Sequence, residues 1–160
     1  MEYTKEFLEK LINEENELQF LTFSNSDAKE LGEMLYEASK EYTRTVAVEI
    51  RKNGNVIYRF IPDGATKENA AWLNAKANTV DMMGKSSLRV ATELFLDDKC
   101  PEDKRMNPVE YGLLGGGFPL TVKNVGVIGT ICTSGLYHTD DHKLIVDTVS
   151  RFMENHNNIQ

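Results

Sequence analysis

The chain has 160 residues, 41% apolar and 27% charged, which excludes collagen-like, disordered and disulfide-scaffold classes and predicts a single domain over residues 1–160. Eighteen Lys and Arg against twenty-five Asp and Glu leave a formal charge of −7, so a nucleic-acid backbone would meet a repulsive field and is not an expected partner. No apolar run approaches the ~20 residues of a membrane span, the charged opening MEYTKEFLEK lacks a signal-peptide core, and Cys100 and Cys132 show no CxxC spacing, so a cytoplasmic protein without membrane contact is expected.

Phe7, Leu8, Leu11, Ile12 and Leu18 recur at helical spacing in an acidic background and predict an amphipathic N-terminal extension over roughly residues 2–17. Its stripe is expected to bury against a neighbouring subunit or to cap the sheet. Ser24, Asn25 and Ser26 offer N-caps for a second helix carrying Ala28, Leu31, Met34, Leu35, Ala38 and Tyr42. Val46, Val48 and Ile50 then alternate with Thr45, Ala47 and Glu49. Asn53-Gly54 supplies the positive φ angles of a type I′ turn, and Val56–Phe60 completes an antiparallel hairpin. Pro62-Asp63-Gly64 ends it.

From Lys67 to Met83 helix formers are dense, but Lys76 falls on the face of Leu73 and Val80, where the apolar regularity first breaks. Gly84 is the expected C-cap. Ser86 or Ser87 caps another helix with Leu88, Ala91, Leu94 and Phe95 as its stripe. Asp97–Arg105 reads as an exposed loop, and Asn107-Pro108 as the start of a short helix through Tyr111. Gly115–Gly117 precedes a second hairpin, Phe118–Val122 with Val127–Thr133. Thr139 is the expected cap of a last helix, with Asp140 and Asp141 in its first turn and Ile145, Val149, Phe152 and Met153 as its stripe. Strands joined by tight hairpins cannot form a parallel sheet, so the fold class is α+β, an antiparallel sheet with helices packed on it.

Four constellations could carry chemistry. A phosphate loop requires Gly-Lys-Ser or Gly-Lys-Thr opening a helix, whereas Gly115–Gly117 leads into Phe118-Pro119 and a strand, so the glycines read as a close backbone approach. Ser134, His138, Asp141 and His142 lie within nine residues, yet there is no G-x-S-x-G elbow, and the dipole of the last helix already explains Asp141. A Cys132–His pair is disfavoured because Cys132 sits in an apolar strand. His138 and His142 are four apart, but a cap at Thr139 leaves His138 outside the helix and breaks their alignment. No metal site is expected, and His142 can be satisfied by backbone or an acidic neighbour. Lys76 with Trp72, Asn69 and Ser86-Ser87 offers one cation, hydrogen-bond donors and an indole, which suit a carboxylate-bearing, partly apolar ligand; Lys76 snorkelling beside a core Trp72 is the bland alternative. Trp72 is expected to be largely buried beside the pocket wall.

In order and spacing, Pro62-Asp63-Gly64, Asn69, Trp72, Lys76, Thr79-Val80, Ser86-Ser87, Gly116-Gly117-Phe118-Pro119-Leu120, Gly126-Val127-Ile128-Gly129-Thr130, Ser134-Gly135-Leu136 and Asp141-His142 resemble the heme-degrading-domain family, HbpS/GlcG-like. The similarity spans about residues 18–153 and is closest to the cytosolic branch, which is largely without an assigned activity. It implies a profilin-like fold, a central antiparallel sheet flanked by helices, and assembly into large homo-oligomers. Heme binding or breakdown belongs to some relatives. An Arg-Lys pair common in that branch is Ala75-Lys76 here, which weakens a bidentate grip on a carboxylate.

The expected function is therefore a small-ligand-binding homo-oligomer, with heme or another anionic, partly apolar molecule as ligand. The expected binding residues are Asn69, Trp72, Lys76, Ser86, Ser87, Gly116, Gly117, Phe118, Pro119, His138 and His142. Lys76, Lys85 or Arg89 would meet heme propionates, and His138 or His142 the iron. A non-enzymatic assembly module is the alternative, and an enzyme acting on a small carboxylate or degrading heme is the third reading. Catalytic residues are left open.

Overall fold

The computed structural model describes residues 3–156; Glu2, at the start of the predicted first helix, lies outside them. The elements in chain order are α1 (Lys5–Glu17), α2 (Asn25–Ser39), β1 (Ala47–Lys52), β2 (Asn55–Phe60), α3 (Lys67–Met83), α4 (Ser87–Leu96), β3 (Gly117–Val122), β4 (Gly126–Ser134) and α5 (His138–His156), with a short 3-10 turn at Pro101–Lys104. The four strands form one antiparallel sheet in the order β2-β1-β4-β3. Helices α2 and α5 pack on one face and α3 on the other, while α4 lies beside α3 and α1 lies on α4. This is the expected α+β architecture.

Local signals account for most boundaries. Ser24 caps α2 in a reciprocal box with Asp27, and Gly84 closes α3 at φ +66°. Asn53 and Gly54 both take positive φ, 51° and 81°, as a type I′ hairpin requires. The main core lies on the α2/α5 face, where Phe20, Leu31, Leu35, Val48, Ile50, Phe118, Leu120, Ile131, Val149 and Phe152 meet. On the α3 face the sheet offers Ala47, Gly117 and Cys132, and these small side chains let Leu73 and Ala77 of α3 approach closely.

Several sequence expectations are corrected. Glu49, alternating with apolar residues in β1, is fully buried because β1 is covered on both faces; it is clamped by Arg51 at 2.6 Å and Arg59 at 2.7 Å. Phe95 is exposed and meets the Tyr3 ring in a tilted contact, and Val90 takes its place in the buried stripe of α4. Asn107 caps one turn instead of a helix: its side chain accepts from the N–H groups of Val109 and Glu110, and the chain then continues without helix. The last helix begins at His138, since the Tyr137 carbonyl accepts the first-turn N–H groups of Asp140 and Asp141. Within the chain, α1 covers α4 and does not cap the sheet; Leu11 is buried, and Phe7, Leu8 and Ile12 are half-buried.

Candidate functional site

The end of β4 runs into a sharp connection, Gly135 taking φ +152°, before α5 begins, and α3 passes across the mouth of that connection. Between them opens a cavity of about 630 Å³. Glu68, Asn69, Trp72 and Lys76 come from α3, Ser134–Tyr137 from the connection, and His138 and Asp141 from the first turn of α5, with Arg44 and Leu114 completing the lining.

Asn69 works at both ends of its amide. Its oxygen accepts from the Thr66 N–H at 3.0 Å to cap α3, and its nitrogen donates to the Ser134 carbonyl at 3.2 Å, fastening the helix to the end of β4. One turn further along, Trp72 is half-buried and forms a wall of the cavity, less enclosed than expected because its partner surface is the open space itself. Another turn brings in Lys76, which is 3% exposed. Its ammonium donates to the Thr133 carbonyl at 2.9 Å and to Asp141 Oδ2 at 3.3 Å. Lys76 therefore neither snorkels to water nor waits unpaired for a ligand.

Asp141 is more than a dipole partner. Its second oxygen accepts from the Leu136 N–H at 3.3 Å, so one carboxylate ties α3, the β4–α5 connection and α5 together. Burial pushes this carboxyl up from its ordinary value, against the opposing pull of the Lys76 charge and the Leu136 N–H. Glycine is required beside the pair: at Gly116, with φ +118°, a Cβ would lie 2.6 Å from Lys76 Nζ and 2.6 Å from the Thr133 oxygen.

His138 receives the Gly115 N–H on Nδ1 at 3.0 Å. Burial, then the Lys76 charge, holds its pKa below the usual imidazole value, so the neutral ring carries its proton on Nε2. His142 stands one turn away with Nε2 on Glu14 Oε1 at 2.8 Å and Nδ1 buried without a partner. The two histidines share the helix that the expected cap would have denied them, and both flank Gly115. Ser134, His138 and Asp141 do converge on the cavity, but Nδ1 faces a backbone N–H instead of a carboxylate, so they form no hydrolytic relay.

The remaining expected residues lie elsewhere. Ser86 caps α4, accepting from the Arg89 N–H, and its own N–H donates to Glu15. Ser87 bridges the Leu114 carbonyl and the Gly117 N–H. Gly116 and Gly117 give the close approach of β3 to α3, Phe118 belongs to the core, and Pro119 sits in the outer strand β3, where a missing ladder donor is tolerated. Lys85 is paired with Glu93, and Arg89 with Glu15 and Glu93; neither lines the cavity. The cavity thus gathers Asn69, Trp72, Lys76 and His138 from the expected set. It adds Arg44, Glu68, Leu114, Ser134, Gly135, Leu136, Tyr137 and Asp141. Of these, Ser134-Gly135-Leu136 and Asp141 were visible in the resemblance, whereas Arg44, in a polar connection, carried no signal.

The family model described as Haem degrading protein HbpS-like matches residues 23–150. The chain belongs to this family. A UPF0303 protein of Streptomyces coelicolor is 34% identical over 145 residues, 90% of this chain and 92% of that protein. One of Yersinia enterocolitica is 34% identical over 137 residues, 85% and 82%. The crystal structure of Ybr137w superposes with a TM-score of 0.85 at 28% identity, covering 92% of this chain and 88% of that one. HbpS, with a TM-score of 0.66 at 22% identity over 83% and 91%, and the PduOC:heme complex, 0.68 at 17% over 81% and 94%, share the fold. Helix α1 precedes the residues that the HbpS-like family model matches.

Proposed function

We propose that this protein binds a small anionic, partly apolar molecule in the cavity between α3 and the β4–α5 connection. The observation that carries the reading is the division of charge there. Lys76 is neutralised by Asp141, while Arg44 and Glu68 are exposed and outside every ion pair among the described residues, so the lining offers the Arg44 cation beside an indole face and the Nε2–H of His138, with the Glu68 carboxylate on the α3 side. A carboxylate would meet Arg44 and His138, and an apolar or aromatic body would lie on Trp72.

Heme is the named member of this ligand class, supported by the family and by the PduOC:heme complex. Iron ligation by histidine does not fit the arrangement, because Nδ1 of His138 is occupied by the Gly115 N–H and Nε2 carries the proton, and His142 lies outside the cavity. Recognition through a propionate and the ring face fits better, so hemin and metal-free protoporphyrin should bind about equally. Titration of each, followed by quenching of Trp72, tests this, with Arg44→Met lowering affinity about ten- to hundredfold. Absence of saturable quenching with either tetrapyrrole removes heme from the class. A strong preference for hemin, with a Soret shift in His138→Ala, restores iron ligation.

The assembly expectation stands beside this as a proposal for a cytoplasmic homo-oligomer. No helix among the described residues is long and apolar enough to cross a membrane. The outer strand β2 leaves Val56 and Phe60 exposed on an unpaired edge. Light scattering that shows a stable monomer at micromolar concentration refutes it.

A further inference from the structure

Trp72 shares the cavity with a second ring. Tyr137, in the β4–α5 connection that faces α3, lines the same space and is 56% exposed. Its place is nevertheless fixed. The Tyr137 carbonyl accepts the Asp140 and Asp141 N–H groups at the start of α5, the ring leans on His138 with centroids 4.9 Å apart, and His138 is held in turn by the Gly115 N–H.

Trp72 is placed as firmly. It stands on α3 between Asn69 and Lys76, and both of these bond across to the other wall, Asn69 to the Ser134 carbonyl and Lys76 to the Thr133 carbonyl and Asp141. These cross-links set the spacing of the walls. No ring–ring contact joins Trp72 and Tyr137 among the described residues, so the two rings line one cavity without closing on each other. An aromatic face favours another flat ring with a complementary quadrupole, whereas a saturated ring system is thicker and offers none. Charge then orients what enters: Glu68, one turn before Trp72 on α3, repels a carboxylate, while Arg44 and the Nε2–H of His138 attract it.

We propose that Trp72 and Tyr137 clamp the two faces of one planar ring system, so that the ligand of this cavity is a flat aromatic carboxylate and Tyr137 is the residue that discriminates against saturated ones. The proposal rests on the anion-binding reading of the cavity and narrows its ligand class.

The probes are 2-naphthoate and decahydro-2-naphthoate, which share a carbon skeleton and a charge and differ in flatness. Titrated into the full-length chain and followed by NMR, 2-naphthoate should bind roughly tenfold more tightly and move the ring resonances of both Trp72 and Tyr137. Tyr137→Ala and Tyr137→Leu should each weaken 2-naphthoate by roughly three- to tenfold and leave the saturated acid within about twofold, while Tyr137→Phe restores the preference. Arg44→Met should weaken both acids alike. Equal affinities that still depend on Arg44, or a preference that survives Tyr137→Ala, overturn the clamp and leave the anion site standing. Tighter binding of 2-naphthylmethylammonium than of 2-naphthoate overturns the assigned orientation of charge. Absence of saturable shifts with either acid removes the anion-binding reading and the clamp with it.

Discussion

Replacing Lys76 with Met keeps an unbranched stem of similar length and deletes the charge that Asp141 faces. The two side chains are 3% and 2% exposed, so the substitution leaves a buried carboxylate with the Leu136 N–H on one oxygen and nothing charged on the other. Removing one partner of a buried pair costs about 3–5 kcal/mol. The penalty should depend on pH with a definite sign. Burial already raises the Asp141 carboxyl above its ordinary 3.8, and loss of the lysine raises it further. A carboxyl that holds its proton more tightly in the folded than in the unfolded chain gains stability as pH falls through its folded value and loses it as pH rises. The deficit of Lys76→Met against the unaltered protein should thus be largest near neutrality and shrink in mild acid. Adding Asp141→Asn, which removes the charge and keeps an acceptor for Leu136, should recover most of the loss. Urea unfolding followed by circular dichroism at about pH 7 and pH 5 measures all four corners of the cycle. A cost under about 1 kcal/mol at both pH values, or a double variant no more stable than the single one, would refute the claim that a desolvated pair fastens α3 to α5.

Gly116→Ala should cost more than about 2 kcal/mol in the same melts, because the new methyl meets Lys76 Nζ and the Thr133 carbonyl at a φ that side chains rarely adopt; a near-neutral result would mean the segment can move aside. Native protein should show one thiol to a disulfide reagent and two after denaturation, since Cys100 is exposed while burial pushes the Cys132 thiol up to about 12; rapid reaction of both would contradict the packing of β4 under α3. His138, held below its ordinary 6.5, contributes stability that is present above that value and lost as pH falls below it, so His138→Gln should flatten the stability profile there; an unchanged profile would mean that the ring titrates normally.

Periodicity and turn chemistry made the elements legible without any structure. Asn53-Gly54, Gly84, Ser24 and the spacing of Leu31, Leu35 and Leu73 act over a few residues, and short-range sterics and local hydrogen bonds decide them wherever the chain finally packs. The antiparallel sheet followed from two tight hairpins for the same reason. Lys76 on an apolar face and Gly115–Gly117 before a strand marked the region of the site, because each breaks a local rule that the surrounding residues obey.

The sequence could not say which of the marked residues would meet. Asn69, Trp72, Lys76 and His138 share a cavity because α3 crosses the β4–α5 connection, while Ser86 and His142 meet α1 and Ser87 faces β3, and no local pattern encodes that division. Asp141 looked like a dipole partner until α3 brought a lysine from 65 positions away. Arg44 gained its place only because the α2–β1 connection ends at the cavity mouth. Pairings of this range depend on how layers stack and on which charges burial forces together, and a one-dimensional pattern carries neither the stacking nor the desolvation that makes one partner necessary to another.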